Sequence, residues 1–360
     1  MAQRQLNDAN IVGYSELLTP RKLVDQLLPL SDNGRETVLQ GRENIKNILR
    51  GKDKRKILIV GPCSVHDIDA VREYAGRLKD LSERVSDAFL VVMRVYGEKP
   101  RTNKGWKGFI NEPLLDGVVR PNEGLMSIRS LLVELAENGI ATGTEFVQLG
   151  TPQRIGDTVA WSAIGARTTE SPPHRHMASG LSMPVGFKNN TEGNVKAAID
   201  AVITAADSHE FDGINWDGVE ATVSTKGNTD THIVLRGSEK RVNYDEESVR
   251  NAMQALAKNG LPQFLVVDCA HGNAINKDHK KDHTLQSVAF WNVIDQIIRG
   301  TEGIAGIMLE SFLKEGSQKF ESGTTKKKDL KYGVSITDPC ISWEETERIV
   351  LSAAKELLRR

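Results

Sequence analysis

Three cysteines in 360 residues, Cys63, Cys269 and Cys340, are too few and too scattered for a disulfide framework. A reducing compartment is expected, and any special cysteine must be a ligand or a reactive thiol. No apolar stretch approaches the roughly 18 residues of a membrane span, and the opening MAQRQLNDANIVGYSELLTP has neither the basic start nor the apolar centre of a leader. A cytoplasmic location is therefore expected. Net charge is nearly absent as well: 47 basic against 48 acidic residues leave −1, which argues against bulk affinity for nucleic acid or a membrane surface. Internal repeats and a linker between domains are missing. No Gly-x-Gly-x-x-Gly follows the first apolar run, which counts against an open, doubly wound dinucleotide-binding sheet.

What the chain does have is eight short apolar runs that each stop at an ionisable or metal-binding side chain. GPCSV ends the first at Cys63, and VVMRVYGEKPRT carries Arg94, Lys99, Arg101 and Thr102. ATGTEF ends at Glu145, AIGARTTE at Arg167, PVGFKN at Lys188, HIVLRG at Arg236, FLVVDCAHGN at His271 and IAGIMLES at Glu310. Helical segments alternate with these runs, which predicts an α/β fold, a (β/α)8 barrel over residues 51–360. In such a barrel every strand delivers its C-terminal residues to one face, so endpoints scattered in sequence become one pocket. Residues 1–50 read as an N-terminal helical extension, suited to packing on the barrel or on another subunit. His209 to Thr229, with Gly and Asp turn signals, reads as an inserted hairpin over about 209–230. The polar stretch 314–333 reads as an active-site loop after the last strand. Gly139 and Gly260 stand where helices are expected to end, and TPRKLVDQLLPL and TPQRIGDTVAW both show helical spacing.

Four or five cations converging in one cavity are tolerable only if the resident ligand carries several negative charges, which points to phosphate and carboxylate groups. Each residue has a plainer reading. A lone cysteine is usually a small buried hydrophobe, though Cys63 follows Gly-Pro at a strand end and is as well suited to ligation. EKPRT alone reads as a solvated loop; with Arg94 beside it, Arg101 and Thr102 become an anion grip. Arg167 follows Gly165 and Ala166, whose small size lets backbone N–H groups approach an anion. Lys188 and Arg236 are either ion-paired or anion-binding. His271, Glu310 and Asp338 lie far apart in sequence, so no close-spaced metal motif exists, yet a Cys, His and carboxylate set suits a divalent transition metal.

The segments GPCSVHD, MRVYGEKPRTNKGWKGFIN, SAIGARTTES, ASGLSMPVGFKN, HIVLRG, HGN and YGVSITDPCISWE together resemble the feedback-regulated 3-deoxy-D-arabino-heptulosonate 7-phosphate (DAHP) synthases over nearly the whole chain. The resemblance implies a metal-dependent enzyme that condenses phosphoenolpyruvate with erythrose 4-phosphate and releases phosphate, at the entry to aromatic amino-acid biosynthesis. It implies that Cys63, His271, Glu310 and Asp338 hold one divalent ion, whether manganese, iron, cobalt or zinc. Arg94, Lys99, Ala166, Arg167, Lys188 and Arg236 are then expected to bind phosphoenolpyruvate, and Arg101 and Thr102 the aldose phosphate. Lys99 is the expected proton donor; Glu145, His271 and metal-bound water stay open as the group that activates the attacking water.

The resemblance also implies a homodimer or homotetramer and an aromatic amino-acid effector held by Gln153, Ser182, Phe211 and Gly213. Tyrosine is the expected effector, because FDGIN, SMPVG and YGVSITD are most similar to tyrosine-sensitive members and Gly213 leaves space for a phenolic hydroxyl. Where relatives carry Phe, this chain has Gly97, which is expected to loosen the loop bearing Lys99. A metal-dependent aldolase for another sugar phosphate would not need a second cationic cluster. A non-catalytic metabolite-binding barrel would not need Lys99 and all four metal ligands.

Overall fold

The structure, a computed structural model, describes residues 7–101 and 103–359. Every apolar run singled out above is a strand: β1 (Lys56–Gly61), β2 (Phe89–Arg94), β3 (Thr142–Glu145), β4 (Trp161–Ile164) and β5 (Val185–Lys188) come first. An antiparallel hairpin follows, β6 (Glu210–Ile214) with β7 (Glu220–Ser224), before β8 (Thr231–Gly237), β9 (Leu265–Gly272) and β10 (Ile304–Glu310). The helices are α1 (Asp32–Leu49), α2 (Ile68–Arg84), α3 (Pro121–Glu137), α4 (Pro152–Ile155), α5 (Pro172–Ser179), α6 (Val195–Ala206), α7 (Glu246–Lys258), α8 (Thr284–Ile298) and α9 (Trp343–Leu358).

The eight parallel strands close in the order β1-β10-β9-β8-β5-β4-β3-β2, a (β/α)8 barrel. Its seam joins the first strand to the last, with Ile57 opposite Gly306 and Gly61 opposite Glu310. Local chemistry starts the helices where the alternation says they should: Ser31, Asp67, Asn194, Asp245 and Ser342 each accept a backbone N–H of the following turn. Gly139 and Gly260 end theirs with φ of 77° and 69°, a backbone region that costs glycine nothing.

Two apolar layers result. Leu58, Val60, Phe89 and Val267 face the helices, and the interior holds Ile57, Ile59, Trp161, Val234 and Met308. Ile45, Ile48 and Leu49 of α1 belong to the interior cluster, so α1 closes the barrel at the N-terminal ends of the strands. Burying these three contributes about 1.5–3 kcal/mol each. The orientation is fixed by Arg42, which donates to the carbonyls of Gly156 and Val159, and by Lys46 and Arg50, which pair with Asp230. The opposite end of the barrel is thereby left as the mouth.

Two helical expectations shorten. TPRKLVDQLLPL forms only a single π-type stretch, Lys22–Leu27, because Pro29 forces Leu28 out of helical backbone. TPQRIGDTVAW yields α4 and one 3-10 turn, Gly156–Thr158, where Arg42 captures the carbonyls of Gly156 and Val159. The tip of the hairpin is tied to the N-terminal segment: Arg21 N donates to Trp216 O, Arg21 pairs with Asp217, and Trp216 Nε1 donates to Asp25. Among the described residues no helix is long and apolar enough to cross a membrane.

Candidate active site

Cys63 lies just past β1, Glu310 ends β10, and Asp338 sits in the segment before α9. One ligand atom from each of the three falls within 4.8 Å of the other two. His271, at the end of β9, stands beside this trio rather than within it, with Nε2 3.5 Å from Glu310 Oε1. His271, Glu310 and Asp338 also line a common cavity of about 10 Å³ together with Lys281. Sulfur, nitrogen and carboxylate donors of this kind suit a borderline divalent ion. Glu310 Oε2 is buried without a hydrogen-bond partner among the described residues, an orphaned acceptor that a cation would satisfy. The residues therefore fit the implied metal.

Cys63, Glu310 and Asp338 each already face a positive charge. Lys99 Nζ donates to Cys63 Sγ at 2.9 Å, Arg94 Nη2 to Glu310 Oε1 at 3.0 Å, and Lys281 Nζ to Asp338 Oδ2 at 2.5 Å. Burial, reinforced by Glu310 and Asp338, pushes the Cys63 thiol up to about 11 against the pull of Lys99. Burial works against the charge on Lys99, yet Cys63, Glu310 and Asp338 hold its ammonium above the ordinary range. Burial lowers His271, so the imidazole is neutral and able to ligate. Asp338 is buried, but Lys281, Lys99 and His271 keep its carboxyl below the usual range.

The sequence reading missed Asp268. It is fully buried in the middle of β9 and joins two strand ends, with Lys188 Nζ donating to Oδ2 at 2.9 Å and His271 Nδ1 2.8 Å from the same oxygen. Despite burial, His271 and Lys188 hold this carboxyl well below the usual range. Nδ1 is close to this carboxylate but has no aligned hydrogen-bond partner among the described residues, so Asp268 acts on the imidazole by charge and leaves Nε2 toward Glu310. The signal was available: an acid inside an otherwise apolar buried run must have a partner. Asp268→Asn should lower stability by about 3 kcal/mol, the scale expected when one partner of a buried pair is removed. Urea unfolding followed by circular dichroism checks this; a loss under 1 kcal/mol would contradict the buried-pair reading.

The anion side of the mouth is built from different strands. Arg236, near the end of β8, is half-buried, and among the described residues its guanidinium makes only a 3.3 Å bond from Nη1 to Gly237 O, while its backbone N donates to Asn189 Oδ1. Burial, and after it the charge of nearby Arg167, works against the Arg236 cation, which Asp268 partly supports. Arg167 is exposed, beside half-buried Ala166. Glu145 is buried with Oε1 unpartnered among the described residues, and Gly165 makes room for it: a Cβ there would come within 2.1 Å of Oε1. Arg94 is fully buried, its guanidinium 4.0 Å above the Tyr96 ring and spent on Glu310. The cations are therefore interleaved with carboxylates rather than bare. Arg101 is exposed, with Nε donating to Trp106 O at 2.9 Å, and Thr102 lies outside the described residues.

Gly97 does not loosen its loop. Its carbonyl accepts from Ile110 N at 3.0 Å, and the space a side chain would fill is taken by Ile110 and Ile128. Next to it Glu98, read from sequence only as loop charge, is buried and accepts from the N–H groups of Val147 and Gln148 and from Thr151 Oγ1. Burial raises its carboxyl from 4.5 to about 7. The folded chain thus binds more protons than the unfolded one between these values, and stability falls as pH rises through that window. Glu98→Gln should remove that part of the slope, so its urea midpoint, compared with the parent's, should improve from pH 5 to pH 8. A parallel pair of pH profiles would contradict it.

Of the expected effector residues, Gln153 lies on α4, and Phe211 and Gly213 lie on β6, with the Phe211 ring 6.2 Å from His176 of α5. Gln153 Oε1 is buried and, among the described residues, unpartnered. Ser182 faces a cavity of about 510 Å³ against Glu36, Gln40 and Lys46 of α1. A Cβ on Gly213 would meet Val223 Cγ2 at 2.8 Å, so the space expected there is shared with a methyl group.

A closed parallel barrel whose mouth joins a sulfur, imidazole and carboxylate cluster to an under-paired arginine pair is a metal-dependent enzyme acting on anionic substrates. The model of the DAHP synthetase I family matches residues 33–351. The chain belongs to that family. It is 44% identical to the Tyr-sensitive phospho-2-dehydro-3-deoxyheptonate aldolase of Escherichia coli (strain K12) over 357 residues, 99% of this chain and 98% of that one. The Phe-sensitive enzyme of the same organism is also 44% identical, over 356 residues and 99% of each chain. The structure of phospho-2-dehydro-3-deoxyheptonate aldolase from Francisella tularensis SCHU S4 superposes with a TM-score of 0.92 at 40% identity, covering 98% of this chain and all of that one.

Proposed function

We propose that the chain condenses phosphoenolpyruvate with D-erythrose 4-phosphate and water to give DAHP and inorganic phosphate. The observation that carries this reading is the pairing, in one mouth, of the Cys63, Glu310 and Asp338 cluster with the Arg167 and Arg236 pair. A divalent ion held by Cys63, His271, Glu310 and Asp338 would supply Lewis acidity to the aldehyde carbonyl. Arg167, Arg236 and Lys188 take the phosphate and carboxylate of phosphoenolpyruvate, and Arg101 with Thr102 the phosphate of the aldose. C3 of phosphoenolpyruvate bonds to the aldehyde carbon, and Lys99 gives a proton to the former aldehyde oxygen. Water adds at C2, and C–O cleavage of the resulting hemiketal phosphate releases phosphate. Glu145 is the side chain best suited to take the proton of that water, because its Oε1 is buried and unpartnered.

Supplying both substrates with and without a chelator, and measuring DAHP and phosphate, tests the reading. Equal amounts of both products, lost on chelation and restored by added metal, are expected. Phosphate without DAHP, or neither product in the metal-loaded protein, would overturn it.

The same reading includes feedback inhibition by an aromatic amino acid, with tyrosine as the effector, in the region of Gln153, Ser182, Phe211 and Gly213. The unpartnered Gln153 Oε1, an acceptor suited to an ammonium group, supports it. Identity does not choose the effector, since the tyrosine- and phenylalanine-sensitive relatives match equally well. Gly213→Ser should weaken tyrosine inhibition about fivefold or more, the low end of ordinary allosteric coupling. Preference of the parent for phenylalanine or tryptophan in inhibition assays would refute tyrosine. Exposed Ile11, Val12 and Tyr14 support a further role for the N-terminal extension in contacts with a second copy, as a homodimer or homotetramer.

A further inference from the structure

The segment after β10 passes the end of β1, the one strand between them, to reach the loop after β2. Ser322 Oγ donates to both carboxylate oxygens of Glu112, at 2.8 and 2.7 Å, and Gly117 N donates to the same Oε1 at 2.8 Å. Glu112 is buried, so these donors satisfy a carboxylate that water does not reach. Phe320 stands edge-on to Trp106, ring centroids 6.3 Å apart at 81°. Gly323 lies so close to Gly117 that a Cβ on Gly117 would come within 2.8 Å of the Gly323 Cα.

These contacts lead to one functional side chain. Trp106 Nε1 donates to Glu112 O, and Trp106 O accepts from Arg101 Nε at 2.9 Å, which fixes the direction of the guanidinium. Gln318, at the base of the segment, donates to the carbonyls of Lys331 and Val334, and Gly316 exchanges backbone bonds with Cys340, two residues beyond Asp338. The two ends of the segment therefore meet at a base pinned beside the metal-ligand candidates, and its stretch from Phe320 to Gly323 rests on the loop that carries Arg101.

We propose that residues 316–333 form a strap in which Phe320 and Ser322, acting through Trp106 and Glu112, are positioning residues for the aldose phosphate. The inference rests on the reading of Arg101 as the grip for that phosphate. Displacing a binding group by about 1 Å can cost up to 100-fold in rate, so contacts with the loop behind Arg101 have kinetic leverage.

Ser322→Ala, Phe320→Ala and Arg101→Ala are compared with the metal-loaded parent enzyme. In the two strap variants the KM for erythrose 4-phosphate should rise about tenfold. The KM for phosphoenolpyruvate and the metal Kd should stay within about twofold, and Ser322→Thr, which keeps the hydroxyl, should restore the parent value. Hydrogen exchange of amides 103–118 should quicken in Ser322→Ala whatever the substrates do. A raised aldose KM in Arg101→Ala with unchanged strap variants would overturn the strap alone. An unchanged aldose KM in Arg101→Ala would overturn the substrate reading and this inference with it. Equal rises for both substrates in the strap variants would also overturn the positioning role.

Discussion

Cys63→Ser protein should fold normally, bind a divalent ion more than about 100-fold more weakly than the parent and show no measurable condensation. Replacing groups that merely support metal ligands already costs 10–100-fold, and here a donor atom itself is lost. The thiol sits between Lys99 Nζ at 2.9 Å and the N–H of Asp338 at 3.4 Å, both of which a serine hydroxyl can still engage. The fold thus has no reason to fail. What disappears is the soft donor, which a divalent ion would convert to thiolate from a thiol held up at about 11. Equilibrium dialysis with manganese or zinc, alongside the thermal midpoint, measures both halves. Binding within threefold of the parent would remove Cys63 from the ligand set.

Arg236→Ala should weaken phosphoenolpyruvate binding by roughly 2 kcal/mol, about 30-fold in Kd, the scale of a lost charge-assisted bond in a desolvated site. Its stability should move the other way. In the unliganded protein Arg236 is half-buried, carries a desolvation cost, faces the charge of Arg167 and, among the described residues, makes only the long bond to Gly237 O. Removing it relieves that cost, so the thermal midpoint without substrate should hold or rise, while the increase caused by phosphoenolpyruvate shrinks. Calorimetric titration and thermal scans on one sample separate the two effects. A lower midpoint combined with unchanged affinity would make Arg236 a structural residue.

The barrel was legible because each of its eight strands is a short apolar run ended by a polar residue, with capped helices between them. The mouth was legible for the same reason, since Cys63, Glu145, Lys188, Arg236, His271 and Glu310 stand at strand ends or just past them. What escaped is of another kind. Asp268 hides inside the run LVVDCAHG, and its partners come from β5 and from three residues further along its own strand. Glu98 looked like an ordinary loop charge until the fold turned it toward Val147, and Lys281, which the sequence did not single out, pairs with Asp338. The expected helix at TPRKLVDQLLPL overrated apolar spacing where prolines at both ends set the backbone. Periodicity reports which side of an element is buried; it carries no information on which charges meet across a closed sheet.

The seam between β1 and β10 also sets an order of assembly. Cys63 directly follows the first barrel strand to leave the ribosome, whereas Glu310 ends the last barrel strand and Asp338 comes after it, 275 positions beyond Cys63. Contacts so distant along the chain close late in folding. A nascent chain, or one truncated before β10, would carry the sulfur donor without either carboxylate, so uptake of the ion would follow closure of the cylinder and fasten its two ends together.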